Sequence, residues 1–566
     1  MVIKISKDYM EELVEEITSK ELSKEDIAKL KIKLCKKYGL KSIPTDITLL
    51  LSVPNEQQKV LKKYLQSKPG RTLSGVSPIA VMTSPHACPH GKCTTCPGGV
   101  DSFFGDVPQS YTGNEPASMR AIRANYDAYT QVFNRLEQYI VMGHLPDKSE
   151  LIIMGGTFPA RTKEYQETFV TYCLKAMNDF SEQFFEKNEL KLEEFKQFFE
   201  LPADVNDVER GKRLQGKILE LRNNFKPSLE QEQEKNETTK IRCVGMTIET
   251  RPDYALLIHG NEMLRLGATR VELGIQSVYD FALEGIKRGH SVKDNIIAIK
   301  TLRNLGFKLN FHMMLGLPGV TKEKDLEGLK QIFEDSNYMP DMIKLYPCMV
   351  MPGTELEKQY EEKKYVPLTT EESAEMISEL KRTVPKYCRI MRVQRDIPTN
   401  KTIAGVDKTN LRQYIDIKLR EKNITCNCIR CREIGRKKKF ENPELTVKEY
   451  AASEGKEYFI SIEDKKNNSL AGFCRLRIPG ETLREEITKD SAIIRELHVY
   501  GSAVPIGESG NKTQHKGYGK QLMQKAEELA KKEGKTKLLV ISGIGVREYY
   551  EKIGYARDGP YMVKSL

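Results

Sequence analysis

The sequence predicts an α/β protein: an incomplete (β/α)6 barrel of parallel strands, preceded by a helical segment and followed by a smaller α/β unit. Three observations carry this. Six apolar runs recur between residues 77 and 346, each followed by helix-like sequence. The unusual residues gather at the tails of those runs, where parallel α/β folds place their chemistry. A new strand-and-helix rhythm starts at about residue 441, beyond a basic stretch that contains cysteines.

Residues 1–75 read as a basic helical segment. Tyr9-Met-Glu-Glu-Leu-Val-Glu-Glu-Ile and Ile27-Ala-Lys-Leu-Lys-Ile-Lys-Leu place apolar residues at helical spacing, and Lys68-Pro-Gly-Arg71 breaks the pattern. The barrel is expected over 76–385. Its runs begin at Ser77, Glu150, Ile241, Ala268, Lys308 and Asp341, and their tails carry the cysteine loop, Gly155-Gly156-Thr157, Glu249-Thr-Arg-Pro-Asp253, Gly274-Ile-Gln276-Ser277 and Leu315-Gly-Leu-Pro-Gly319. Between the second and third runs, residues 180–240 read as a charged helical insertion with a mobile end and no chemistry. Residues 386–440 read as a basic linker, and 441–566 as the second α/β unit.

The cysteine loop is Pro85-His-Ala-Cys88-Pro-His-Gly-Lys-Cys93-Thr-Thr-Cys96-Pro-Gly-Gly99, spaced C-x4-C-x2-C. Three thiols this close can converge on one iron–sulfur cluster. Zinc, with His86 or His90 as a fourth ligand, is the alternative. In the linker, Cys426, Cys428 and Cys431 suit a structural zinc with Cys388 as a weak fourth ligand; free thiols are the alternative. In the last unit, Gln514-His-Lys-Gly517-Tyr518-Gly519 opens a helix after a strand and exposes backbone N–H groups to a pyrophosphate.

Charge is concentrated. Residues 29–71 carry a net +9 and residues 381–439 a net +13 out of +11 for the chain, so the remainder is acidic. Two basic segments flanking one core favour a polyanion, most simply a nucleic acid. Twelve cysteines without a leader-like or membrane-length apolar run predict a reducing, cytoplasmic setting and no membrane partner.

The cysteine loop resembles that of the radical SAM enzymes, and the last unit follows the order of the GNAT acyltransferases. Further motifs extend the match: Met154-Gly-Gly-Thr-Phe, Thr247-Ile-Glu-Thr-Arg-Pro-Asp, Glu272-Leu-Gly-Ile-Gln-Ser, Gln394-Arg-Asp-Ile-Pro, Arg495-Glu-Leu-His-Val-Tyr-Gly and Gly559-Pro-Tyr-Met-Val-Lys. Together these resemble the family of Elongator catalytic subunits in its stand-alone archaeal form, tRNA wobble-uridine carboxymethyluridine synthases. The loop departs from the C-x3-C-x2-C common among radical SAM enzymes.

The resemblance implies a [4Fe-4S] cluster on Cys88, Cys93 and Cys96, with S-adenosylmethionine (SAM) beside Gly155, Gly156 and Gln276. It implies acetyl-CoA contacts from Lys148 on the barrel side. On the GNAT side it implies Arg495, Glu496, Leu497, His498 and Val499 along the pantetheine, Gly517, Tyr518 and Gly519 at the pyrophosphate, and Tyr549 beside the thioester. Tyr549 and Lys148 are then the catalytic candidates, and Tyr550 is expected to serve the helix core. The implied reaction is C5 carboxymethylation of the wobble uridine in a tRNA anticodon loop. A 5′-deoxyadenosyl radical would act on the acetyl methyl, with addition to uracil C5 and thioester hydrolysis to follow. The alternatives are a protein lysine acetyltransferase with a non-catalytic barrel and an RNA-binding assembly platform. A homodimer is compatible with the sequence, and no accessory subunit is required by it.

Overall fold

The computed structural model describes residues 6–566 except 21, 69–71, 73–74, 188, 204–206, 224–226, 437–438 and 502–516. Four helices come first: α1 (Lys7–Ser19), α2 (Lys24–Lys37), α3 (Asp46–Leu51) and α4 (Asn55–Leu65). Ser6, Ser23 and Thr45 cap the first three through their side-chain oxygens, and Ser23 with Asp26 forms a reciprocal capping box. Their apolar faces close on a core of their own around Tyr9, Leu13, Leu34, Leu49 and Leu61. Lys29, Lys33, Lys36 and Lys41 remain exposed.

The barrel sheet is parallel and runs in chain order: β1 (Ser77–Met82), β2 (Lys148–Met154), β3 (Arg242–Thr250), β4 (Arg270–Gln276), β5 (Lys308–Leu315), β6 (Met342–Pro347) and β7 (Arg389–Arg392). The first six are the expected strands. β7 is an addition to them, a short strand with arginines at both ends and Ile390 buried between. Residues 386–429 are therefore built into the barrel: Cys388, Ile390, Leu411, Ile415 and Ile429 join its core.

The insertion is built around aromatic packing. Helices α5 (Ala128–Val141) and α6 (Lys163–Phe184) present Phe133, Phe180 and Phe184 to Phe195 and Phe198 of α7 (Leu192–Phe198), with Phe180 and Phe184 at 4.8 Å. After α8 (Val208–Arg222) comes α9 (Leu229–Thr238), the charged stretch read as a mobile end. It is anchored: Asn236 donates to the Asn178 carbonyl at 2.8 Å, and Asn178 donates to Glu232 at 2.7 Å, all buried.

The last unit is one mixed sheet, ordered β8 (Glu444–Ala452), β9 (Gly455–Asp464), β10 (Ser469–Ile478), β11 (Ser491–Val499), β12 (Lys537–Val540), β14 (Tyr561–Ser565) and β13 (Ala556–Asp558). Helix α10 (Tyr518–Lys532) packs Leu522, Ala526 and Ala530 into its core, and the short α11 (Arg547–Glu551) follows β12. Among the described residues no helix is long and apolar enough to cross a membrane.

This unit docks on the amino ends of the barrel strands, opposite the cysteine loop. Arg495 donates to both oxygens of Asp341 at 2.7 Å and to the Phe307 carbonyl at 2.8 Å, and pairs with Glu457 at 2.8 Å. Arg475 joins Glu496 at 2.9 Å and the Tyr387 carbonyl at 2.7 Å. Arg242, first in β3, pairs with Glu548 of α11 at 2.8 Å.

Candidate active site

The cysteine loop lies at the carboxyl end of β1, lining a cavity of about 550 Å³ with Gly156, Gln276, Glu249, His312 and Lys344. Two conformational requirements shape this rim. Gly155 has φ of +119°, and a Cβ there would stand 2.4 Å from the Thr83 hydroxyl, so only glycine fits. Gln276 takes φ of +66° with a full side chain, a strained backbone of the kind held at ligand sites.

The His90 ring stands between two thiols, with Nδ1 3.1 Å from Cys88 Sγ and Nε2 3.0 Å from Cys93 Sγ. Gln109 donates to Cys96 at 3.2 Å, and Arg288 lies 3.6 Å from Cys93. Arg251 is held by a two-pronged pair with Asp253, both contacts 2.9 Å, and donates to the Arg288 carbonyl at 2.7 Å. Burial pushes the Cys88 thiol up, against the Thr157 hydroxyl and these two guanidinium groups. Burial and the same arginines bring His90 down to about 4, so it is neutral at pH 7. Three thiols around one cavity, with the Arg251 and Arg288 guanidinium groups beside them, fit an iron–sulfur cluster.

The GNAT-side residues converge at the other end. β11 pairs with β12 only from Ser491 to Ile494, so the edge of Arg495–Val499 splays from it. On its other side the register with β10 skips Arg495, a bulge that turns this side chain into the domain junction. Arg495 is thus engaged by Asp341 and Glu457, leaving its backbone to any ligand. Leu497, His498 and Val499 are half-buried. Gly517, at φ of +73°, precedes α10. A Cβ on Gly519 would lie 3.4 Å from the Tyr549 hydroxyl and 3.9 Å from Val499, which brings helix start, strand and tyrosine together. Tyr518 and Tyr550 are buried in the core, so Tyr518 contributes backbone and Tyr550 packing. Gln514, His515 and Lys516 lie outside the described residues.

Lys148 opens β2 and is in register with Arg242, the partner of Glu548. It therefore sits at the Tyr549 end, while Gly155 and the thiols sit at the other. Along β2 the separation is about 20 Å at 3.3 Å per residue. The cavity follows β1 inward to Pro78, which is in register with Glu150 of β2.

In the basic stretch, the ligand atoms of Cys426, Cys428 and Cys431 lie within 4.8 Å of one another, a set suited to zinc. Hydrogen bonds from Cys426 and Cys431 hold the Cys428 thiol well below its usual range. Cys388 stands near, its carbonyl accepting from the Ile429 N–H at 3.0 Å.

Residues not singled out from the sequence complete the cavity: Arg288, His312, Lys344 and Tyr346, beside Arg251 of the expected third tail. For His312, Lys344 and Tyr346 the one signal is polar residues alternating within strands, as in Lys308-Leu-Asn310-Phe-His312. A second groove of about 850 Å³, beside α9 and the carboxyl-terminal hairpin, shares no residue with the cavity.

The chain matches the ELP3 N-terminal domain over residues 6–73, the Radical SAM superfamily over 82–330, the Radical_SAM C-terminal domain over 340–421 and the Acetyltransferase (GNAT) family over 430–555. It is 44% identical to the tRNA uridine(34) acetyltransferase of Methanocaldococcus infernus over 100% of this chain and 98% of that one. It is 38% identical to human Elongator complex protein 3, covering 96% and 93%. The structure of Methanocaldococcus infernus Elp3 with an N-terminus deletion (1-46) superposes with a TM-score of 0.70 at 40% identity, covering 88% of this chain and all of that one. With four domain matches in order and full-length relatives at this identity, the chain belongs to the family of Elongator complex protein 3 and the archaeal tRNA uridine(34) acetyltransferases.

Proposed function

We propose that the protein modifies the wobble uridine of tRNA, adding a carboxymethyl group at C5 from acetyl-CoA with SAM as co-substrate. The observation that carries this reading is the pairing of two features: a thiol-lined cavity at the carboxyl rim of the barrel, and the approach of Gly519, Tyr549 and Val499 in the unit docked on its amino rim. An acetyltransferase alone has no use for the first. A [4Fe-4S] cluster with SAM, when bound, would supply hydrogen-abstracting radical chemistry at the acetyl methyl; joining that carbon to uracil C5 requires loss of the C5 proton and one electron, and water then cleaves the thioester.

The chain's own contributions are binding and orientation. Cys88, Cys93 and Cys96 would hold the cluster, and Gly156 and Gln276 would line the SAM side. The splayed edge of β11 supplies backbone groups to pantetheine, and the N–H groups at the start of α10 face the pyrophosphate. Tyr549 places a hydroxyl, kept protonated because burial raises its pKa, beside the thioester. Lys148 is positioned to meet the acetyl-CoA from the barrel side. Fixing these reactants and excluding water are what such a site adds. Cys426, Cys428 and Cys431 would carry a structural zinc, and the exposed lysines of α1–α4 would meet tRNA phosphates.

The test compares products. Reconstituted enzyme with SAM, reductant and acetyl-CoA is expected to convert uridine-34 tRNA and leave lysine peptides unacetylated. Peptide acetylation without tRNA product would support the protein acetyltransferase instead.

A further inference from the structure

Parallel barrels normally fill their interior with bulky aliphatic side chains. Here the inward positions of four successive strands are polar. Glu249 of β3 is in register with Glu272 of β4, and Glu272 with Asn310 of β5. One layer nearer the carboxyl rim, His312 of β5 is in register with Lys344 of β6. Glu272 gathers His312 Nε2 at 2.8 Å, Asn310 at 3.1 Å and the Lys344 ammonium. Glu249, Glu272 and His312 are close enough together to bind a metal ion. Lys344, against Glu272 and 3.7 Å from Glu249, already supplies the cation.

The directions of the remaining hydrogen bonds follow. A carboxylate only accepts, so His312 Nε2 carries the proton given to Glu272 and Nδ1 is an acceptor. Burial, then Lys344, keeps the ring neutral by lowering its pKa. Lys344 donates, and burial keeps the Tyr346 hydroxyl a donor; its ring is 5.5 Å from His312. All three side chains line the cavity that holds the thiols. The wall therefore offers one acceptor, His312 Nδ1, and two donors. A uracil edge is the complement, with carbonyls on either side of N3–H, whereas cytosine sets a lone pair at N3 and an amine where a carbonyl is wanted.

We propose that His312, with Lys344 and Tyr346, reads the Watson–Crick edge of the target uracil and rejects cytosine. The assignment rests on the functional reading above, and it requires the base to be splayed out of the anticodon loop, as single-stranded RNA readers do.

The experiment uses full-length reconstituted enzyme and tRNA transcripts carrying uridine, cytidine or 3-methyluridine at position 34. Wild type should act on uridine and fall at least about tenfold on the other two, since one two-point base contact discriminates by about 5- to 150-fold. In His312→Gln the carboxamide can turn either its oxygen or its amide to the ring, so the uridine-to-cytidine ratio should fall about tenfold or more. The SAM Kd and the cluster absorption should not change. A ratio unchanged in a variant with normal cluster absorption overturns the proposal, as does a weakened SAM Kd, which would give the three residues to SAM. If His312→Gln does not fold, the wild-type series decides: equal turnover of the three transcripts overturns it. No product from wild type on uridine-34 tRNA would instead refute the functional reading beneath it.

Discussion

Asp341 shows what a single side chain does at the junction of the two units. It is fully buried, accepts from Arg495 through both oxygens and lies 3.4 Å from Arg475. Removing it leaves two buried guanidinium groups short of a counter-charge, which costs about 3–5 kcal/mol when one partner of a buried pair is deleted. Asp341→Ala should lose that much in denaturant unfolding; a loss below about 1 kcal/mol would show that Glu457 and Glu496 suffice. Asp325 makes the opposite case. Burial raises its carboxyl to about 7, although the Gly316 N–H donates to it at 2.6 Å. A carboxyl raised in the folded state stabilises when protonated, so its contribution is full below about pH 4 and is lost as pH rises through about 7. Asp325→Asn should flatten the stability profile over that window; an unchanged slope would assign the dependence to other groups.

At the scale of elements, the two basic segments part ways. Five of the six lysines of α2 stay on the surface, and only Lys31 is buried, paired with Asp46. In the second segment several cations meet acids from elsewhere: Lys386 and Arg432 pair with Glu463 at 3.0 and 2.9 Å, and Lys422 pairs with Glu375 and Glu379. A charge count along the chain reads such a stretch as solvated, because the acids that neutralise it are distant in sequence. Deleting α1–α4 should therefore weaken tRNA binding and flatten its salt dependence. The log–log slope should drop by about 0.9 for each duplex phosphate no longer neutralised and by about 0.7 for each single-stranded one. The same slope with and without α1–α4 would remove them from the tRNA surface. Strands were legible where apolar runs are unbroken, as in β1 and β2. β7 was not, since Arg389 and Arg392 interrupt any run. The polar layer of the cavity was hidden for a related reason: Lys308, Asn310 and His312 alternate as a solvent face would, and only closure of the sheet turns that face inward.

For the whole molecule, the arrangement of the sites is what the sequence could not disclose. Motifs named the thiols, Gly519, Tyr549 and Lys148, but not that the GNAT unit docks on the amino rim, about 20 Å along β2 from the cysteine loop. On the proposed reading, an acetyl group held near Tyr549 would have to come within about 3 to 3.5 Å of the SAM carbon to react. The cavity's run along β1 toward the level of Glu150 is the feature that makes such an approach conceivable, with the pantetheine arm or the whole acetyl-CoA moving past Lys148. The most direct measurement supplies acetyl-CoA deuterated on its methyl to the reduced enzyme with SAM and tRNA. Deuterium should pass into 5′-deoxyadenosine, and should be absent from it when Cys93 and Cys96 are replaced by alanine. Unlabelled 5′-deoxyadenosine alongside modified tRNA would contradict hydrogen abstraction from the acetyl methyl.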